Sequence, residues 1–465
     1  MSMPNSPSDS GLLSPVRVGA DVEEMLSDEA WITAMVRAET ALARAQAELG
    51  LIPRGAADSI VRASEHLTID PRAIALASRK TANPVVALIA ELREAVRAID
   101  PSAVSFVHRG STSQDIFDTA TMMIAQAVFQ AIDRSLSVVA QRLEVLASEH
   151  RGTLQAARTL GGHAVPTTFG HKAATWKHYI DDARERVERM LSGGGFPVSV
   201  GGAAGTAAGY IEAARFTDDW KQVDADETLR RIASAFAAAT GLVAPRGPWH
   251  GAPTPLADIA ATCAVVTASV GKMAADVLTL SRTEIGELAE SAADGIGVSS
   301  AMPQKRNPVL ATMIRSASLQ VPALTSGILT CLTPMDERDA GAWHAQWMLL
   351  RESLRLTGGA ASTAEELVDV LRIDANAMLR NARMTGSLLV SERISLVLSS
   401  RLGSDRSRSI VAEAIATAAA DGKDVLSVLR RHTDVRAAFH DDELVGLADP
   451  NAYLGIAGAD ASACI

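Results

Sequence analysis

The amino-acid sequence predicts a mainly α-helical protein, and three observations carry that reading. Alanine and leucine dominate the 465 residues, while aromatics make up only 4%; alanine and leucine are strong helix formers. Apolar residues recur in steps of three and four over long stretches. No segment alternates apolar and polar residues convincingly over the length of a strand. A chain this long can bury a large core and has room for two or three domains.

The elements follow in order. The first 15 residues, "MSMPNSPSDSGLLSP", read as a loose polar tail. They lack the basic start and apolar core of a secretion signal. From Asp28 to Leu49 the apolar positions Trp31, Met35, Ala38, Leu42, Ala45 and Leu49 form one helix face. Gly50 ends it, and Pro53 follows three residues later. A second face runs through Ala125, Val128, Ile132, Leu136, Val139, Leu143 and Leu146. Helices are also expected near 170–191, 222–240, 256–290, 306–330 and 341–370. The small-residue stretch "SGGGFPVSVGGAAGTAAG" (192–209) reads as a turn between long helices or a small hairpin. No segment has the unbroken apolar length of a membrane span.

The formal charge is −10, which disfavours a nucleic-acid partner. The cysteines, Cys263, Cys331 and Cys464, are far apart, so a reduced, cytoplasmic protein is expected, with Cys464 an exposed thiol near the C-terminus. There is no HExxH, P-loop, GxSxG elbow or GxGxxG fingerprint. Nothing demands a metal or a cofactor.

Three stretches break the helical pattern: "HRGSTSQD" (108–115), "ARTLGGHAVPTT" (157–168) and "GVSSAMPQKRNP" (297–308). Loops between rigid helices are where binding groups concentrate. Lys305 offers a point charge, Asn307 an amide, and Ser111, Thr112 and Ser113 three hydroxyls in a row. Together such groups can hold a carboxylate without a metal. Ser299 and Ser300 precede an expected helix, with Gly295 and Gly297 as hinges. By spacing alone a turn or helix N-cap is the plainer reading of this pair. A serine serves as a base only where a closed site stabilises its alkoxide.

"SSAMPQKRNP" resembles the signature loop of the fumarase/aspartase superfamily. "HRGSTSQDIFDTA" and "RTLGGHAVPTTFG" resemble its first and second conserved regions, and "GGAAGT" (201–206), "TEIGEL" (283–288) and "ERDAGAWHAQW" (337–347) also fit. The likeness runs from Ser14 to "DPNAYLG" (449–455) and leans toward the 3-carboxy-cis,cis-muconate cycloisomerase branch. It implies a three-domain, mainly α fold: an N-terminal helical domain (16–107), a central bundle of long helices (108–365) and a C-terminal helical domain (366–465). It further implies a homotetramer built on a helical core, with each active site shared between three chains, and a small dicarboxylate substrate. The signature loop is mobile in this superfamily. Its second serine, here Ser300, is the expected general base. Lys305, Asn307, Thr112 and Ser113 are expected carboxylate ligands, with Ser111, His163 and Thr167 beside them. Arg338 matches a substrate-contacting arginine. His108 matches a histidine that supports acid catalysis, though a buried hydrogen-bonded histidine is an equal reading. Arg315 is expected to be an ion-pair partner on a helix.

The chain departs from the family pattern at several points. Leu160 stands at a histidine position and Gly162, after Gly161, at a glutamine position, so two side chains are missing from a pocket wall. "PWHGAPTPLADIA" (248–260) lacks an expected Arg-Asp after its histidine. Val298 replaces a glycine, with less backbone freedom. The base and the carboxylate ligands are untouched. The expected reaction is therefore β-elimination from a substituted succinate to fumarate. Without the histidine at 160, a weakly basic leaving group such as nitrite fits best. Cycloisomerisation of a carboxymuconate and a non-catalytic structural role are the alternatives.

Overall fold

In a computed structural model, residues 10–291, 297–298, 301–302 and 304–458 are described. Ser299, Ser300, Gly295 and Cys464 lie outside them. The chain is mainly helical and folds into two compact units. One comprises 1–136, 182–268 and 313–363; the other comprises 137–181, 269–312 and 364–465.

The first unit opens with the helix Asp28–Glu48, capped where Ser27 Oγ accepts the Ala30 N–H at 3.1 Å. Its expected face is buried from Trp31 to Ala45, and Gly50 leaves it at φ +72°. Helices Arg54–Glu65 and Pro84–Ile99 pack beside it. The longest helix, Ser113–Glu149, contributes Ile116, Ala125, Val128, Ile132 and Leu136 to this core, all at most 1% exposed. Trp31, Phe117, Trp343 and Trp347 form an aromatic cluster, with Trp31 and Phe117 stacked at 5.2 Å between centroids. The helices Ala225–Thr240, Val309–Thr330 and Ala342–Val370 start within three residues of their expected positions.

The second unit holds the strands. β1 (Leu154–Thr159) and β2 (Gly162–Thr168) pair antiparallel, with a bulge between Ala156 and Arg158. This hairpin occupies the second polar stretch, which reads in sequence as a loop. Its period is hidden because the bulge breaks the alternation. The turn is Leu160–Gly161, both at positive φ (52° and 88°), as a tight hairpin turn requires. The hairpin considered for 192–209 does not form. That stretch holds a short 3-10 turn, Gly202–Ala204, and a single bridge from Pro197 to Val243. The helix expected over 256–290 runs Thr254–Leu280 and is followed by β3 (Leu288–Glu290), which pairs with β4 (Leu371–Ile373). The C-terminal helices bury Ile394, Leu398, Ile410, Leu429 and Val435.

One sequence expectation is corrected here. The Thr254–Leu280 helix is long and apolar enough to cross a bilayer, although 56% of its most apolar window is buried inside the protein. Its apolarity serves the interior because it is buried on several faces. Arg315 also differs from expectation. Among the described residues its partner is the Ser318 hydroxyl at 3.4 Å, not an acid.

Candidate active site

In the first unit the site is built around one buried carboxylate. The Ser113–Glu149 helix begins one residue after Thr112. Three residues into it, Asp115 Oδ2 reaches back to accept the Thr112 N–H at 3.0 Å. This is the return half of a capping box. The same carboxylate accepts the Gly201 and Gly202 N–H groups at 2.6 and 3.1 Å and the Tyr210 hydroxyl at 3.1 Å. His250 Nε2 lies 2.9 Å from its other oxygen and 3.0 Å from Ser199 Oγ. The Asp115 side chain is fully buried, and five donors replace the water it loses. Burial and the Asp115 charge raise the Tyr210 phenol well above its ordinary range, so it stays a donor. Gly201 must be glycine, since a Cβ there falls 2.6 Å from the His250 ring.

The first unit also holds the expected ligands Ser111, Thr112, Ser113 and Arg338. Thr112 does not spend its hydroxyl on capping; Oγ1 accepts from Arg338 Nη2 at 3.2 Å. Arg338 Nε donates to Gln114 Oε1 at 2.8 Å, and Nη2 also reaches the Ala203 carbonyl at 3.0 Å. Arg338 lies two residues after Asp336, at φ +55°, and one before Asp339, whose carboxylate accepts the Met335 and Ala342 N–H groups at 2.8 Å each. A half-buried arginine and a row of hydroxyls are thereby brought together. Ser111 Oγ donates to the His108 carbonyl at 3.3 Å. Ser113, half-buried, completes the row.

His108 sits at φ +63°, with its Nδ1 against the buried Glu39 carboxylate. Burial alone pushes this imidazole down. The charge and hydrogen bond of Glu39, with the charge of Asp115, outweigh it and leave the pKa raised. One helical turn beyond Asp115, Asp118 accepts the Trp343 indole N–H at 3.0 Å. Burial pushes its carboxyl up to about 6, against the His250 charge and the hydrogen bonds of Trp343 and Gln114.

In the second unit the hairpin carries His163 and Thr167 on β2, both half-buried. Burial and the Arg158 charge hold His163 below the usual histidine range. Arg158 lies opposite His163 in register and donates to the buried Glu287 at 3.2 Å. Gln155 and Asn381 also donate to Glu287, each at 2.7 Å. Burial would raise the Glu287 carboxyl, but these three donors hold it below its ordinary value. Leu160 and the two glycines do not form a wall within this chain. Leu160 is fully exposed at the hairpin tip. A side chain at Gly161 would meet nothing within 4 Å, and one at Gly162 only the Thr159 carbonyl at 4.0 Å.

The signature loop has a defined stem. Glu290 accepts the Leu310 and Ala311 N–H groups at 3.1 and 2.9 Å and so caps the helix after the loop. Asn307 N donates to the Gly297 carbonyl at 2.9 Å. Gly297 is at φ +71°, and a Cβ there would fall 2.3 Å from the Asn307 carbonyl. Val298 bridges Arg306 antiparallel, a conformation that suits a β-branched residue. The glycine that the family pattern places at 298 is not needed for this stem, because Gly297 makes the turn. Lys305 is exposed and Asn307 half-buried on this loop.

Sequence reasoning missed Glu39, Gln114, Asp115, Ser199, Tyr210 and His250. Asp115 had a legible signal, the Thr-x-x-Asp spacing at a helix start. Glu39 had another, an acid among the buried alanines of an apolar helix.

A family profile described as Lyase matches residues 15–323. The chain is 49% identical over 449 residues to the nitrosuccinate lyase of Streptomyces davaonensis, covering 97% of this chain and 93% of that protein. It is 34% identical over 450 residues to the 3-carboxy-cis,cis-muconate cycloisomerase of Bradyrhizobium diazoefficiens, covering 97% and 96%. The crystal structure of the 3-carboxy-cis,cis-muconate lactonizing enzyme from Pseudomonas putida matches with a TM-score of 0.86 at 30% identity, covering 97% of this chain and 98% of that one. The matched profile, the full-length identities and the shared fold together place the chain in the fumarase/aspartase superfamily of lyases, in its cycloisomerase-like branch.

Proposed function

We propose that the protein eliminates nitrite from nitrosuccinate to give fumarate. The observation that carries this reading is the 49% identity, over nearly the full length of both chains, with a nitrosuccinate lyase. The geometry is consistent with it. Arg338 and Thr112, hydrogen-bonded at 3.2 Å, offer a carboxylate a guanidinium and a hydroxyl side by side. Ser111 and Ser113 extend that row. Lys305 and Asn307 take the second carboxylate, with His163 and Thr167 along the substrate.

Ser300, as alkoxide, removes a proton from the methylene carbon beside that second carboxylate. The electron pair spreads into the carboxylate, where Lys305 stabilises the developing charge. The C–N bond then breaks, nitrite leaves with its bonding pair, and the carbon–carbon double bond of fumarate forms. Nitrite is weakly basic, so this departure needs little proton transfer; His108 supplies a positive charge and a proton beside it. In the same proposal the active enzyme is a cytoplasmic homotetramer of three-domain subunits divided near residues 107 and 365, with sites shared between chains.

The purified protein should convert nitrosuccinate to fumarate and nitrite in equal amounts. Consumption of carboxymuconate without fumarate release from nitrosuccinate would instead assign a cycloisomerase, the activity named for relatives at 32–34% identity. Turnover of neither would leave a structural relative. Shared sites are tested by mixing inactive Ser300→Ala protein with inactive Thr112→Ala protein. Recovered activity is expected after subunit exchange; none despite proven exchange would confine each site to one chain.

A further inference from the structure

We infer that Glu39 is a positioning residue for His108: it binds the imidazole at Nδ1 and so makes Nε2 the nitrogen offered to the substrate. This rests on the elimination reading above and names a residue to which that reading gives no role. Glu39 lies mid-way along the Asp28–Glu48 helix, in a run of buried alanines, with its side chain 2% exposed. A carboxylate in such a place needs a partner. Its hydrogen-bond partner among the described residues is His108.

The histidine is brought to it at a conformational cost. A φ of +63° is unfavourable for a residue with a Cβ. The surrounding chain holds it there. Gln46, two turns along the same helix as Glu39, donates to the Arg109 carbonyl at 2.9 Å. Arg93, from the Pro84–Ile99 helix, donates to the Val107 carbonyl at 3.2 Å. Strain of this kind persists where surrounding contacts over-determine it, and it clusters at functional sites.

An ionised carboxylate only accepts, so Nδ1 carries the hydrogen. Nε2 is then the nitrogen that titrates. It makes no hydrogen bond to the described residues, and the side chain keeps 15% of its surface exposed. The charged groups around the ring are Glu39, Asp115 and Arg93, and the two acids outweigh the arginine and burial in favouring the cation. The ring is thus favoured in its charged form, and the His108 backbone carbonyl accepts from Ser111 Oγ, the first hydroxyl of the row that the elimination reading assigns to a substrate carboxylate.

Two measurements test this. The first needs no turnover: the rate of diethyl pyrocarbonate modification at His108, followed by peptide mass spectrometry against pH. The wild-type midpoint should lie above the ordinary histidine value of about 6.5, and Glu39→Gln should move it down by a unit or more. A wild-type midpoint at or below the ordinary value would overturn the proposal, even if the variant fails to fold. The second is the pH profile of kcat/KM on nitrosuccinate. Glu39→Gln should lower kcat by tenfold or more, with KM changed less than threefold. Its alkaline limb should move to lower pH, because the positive charge that His108 sets beside the departing nitrite is lost sooner. An unmoved limb, or a loss confined to KM, would reduce Glu39 to a structural tie. If the wild type yields no fumarate, the elimination reading fails, while the modification midpoint still decides the role of Glu39.

Discussion

The loop at 108–115 and the hairpin at 154–168 both carry expected substrate groups, yet they are held in opposite ways. The loop stands on Asp115, whose five donors come from the loop itself, the 201–202 backbone, Tyr210 and His250. The hairpin is anchored along β1, where Gln155 near its base and Arg158 near its turn both donate to Glu287. Its tip, Leu160 to Gly162, projects into open space. The difference separates two tasks. Groups that must meet every substrate of the superfamily, such as carboxylate ligands, gain from a rigid, pre-organised base. Groups that distinguish one substrate from another can sit where a side chain changes without disturbing the fold.

The largest effect should come from removing that base. Asp115→Asn replaces one oxygen by an amide, and whichever oxygen is lost leaves at least two buried donors facing a donor. Unfolding stability should fall by roughly 3–5 kcal/mol, read from urea midpoints. A loss under about 1 kcal/mol would mean that the loop does not depend on this carboxylate. The signature loop should behave differently. Ser300→Ala should reduce turnover by ~10²-fold or more while stability is unchanged, since the loss is of proton transfer alone. Retention of more than about a tenth of the rate would remove Ser300 from the role of base.

A third variant sharpens the view of the buried side. Asp118 is held neutral up to a pKa of about 6, against an ordinary value of 3.8. The native state therefore keeps a proton that the unfolded chain has lost. That contribution to stability is full below about pH 4 and disappears as pH rises through about 6, a change of roughly 2–3 kcal/mol. Asp118→Asn keeps an oxygen for Trp343 and should abolish this slope. Parallel stability curves for the two proteins between pH 4 and 7 would show that Asp118 ionises normally. The smallest effect belongs to the hairpin tip. Gly162→Gln should leave stability unchanged and lower kcat/KM on nitrosuccinate about tenfold, roughly 1.4 kcal/mol. An unaltered kcat/KM would show that these glycines do not set specificity.

Much of the helical frame was legible because helix faces repeat locally, as from Trp31 to Ala45 and from Ala125 to Leu143. The hairpin was not. Its bulge between Ala156 and Arg158 breaks the alternation that marks a strand, and β3 and β4 are three residues each. Thr112 and Arg338 were each singled out through family resemblance, but their contact was not expected, since 226 positions separate the two residues. Glu39 and His108 are likewise 69 apart. Contacts of that range are made by the fold and leave no periodic trace. The Leu160 and Gly162 substitutions were legible as changes, but their place at an exposed hairpin tip was not.

The loop crossing at Gly110 limits how this protein can be recombined with its relatives. A Cβ at Gly110 would fall 2.9 Å from Tyr210 Cα, and one at Gly209 would fall 2.8 Å from the Gly110 carbonyl. The two glycines are halves of one steric lock, made by segments about a hundred residues apart. A chimera with a crossover between them takes each half from a different parent. Any parent carrying a side chain at either position would force the two backbones apart and lift the hydroxyl row off its support. Shuffling libraries should therefore inherit 108–115 and 199–210 as a single block, although no stretch of sequence joins them.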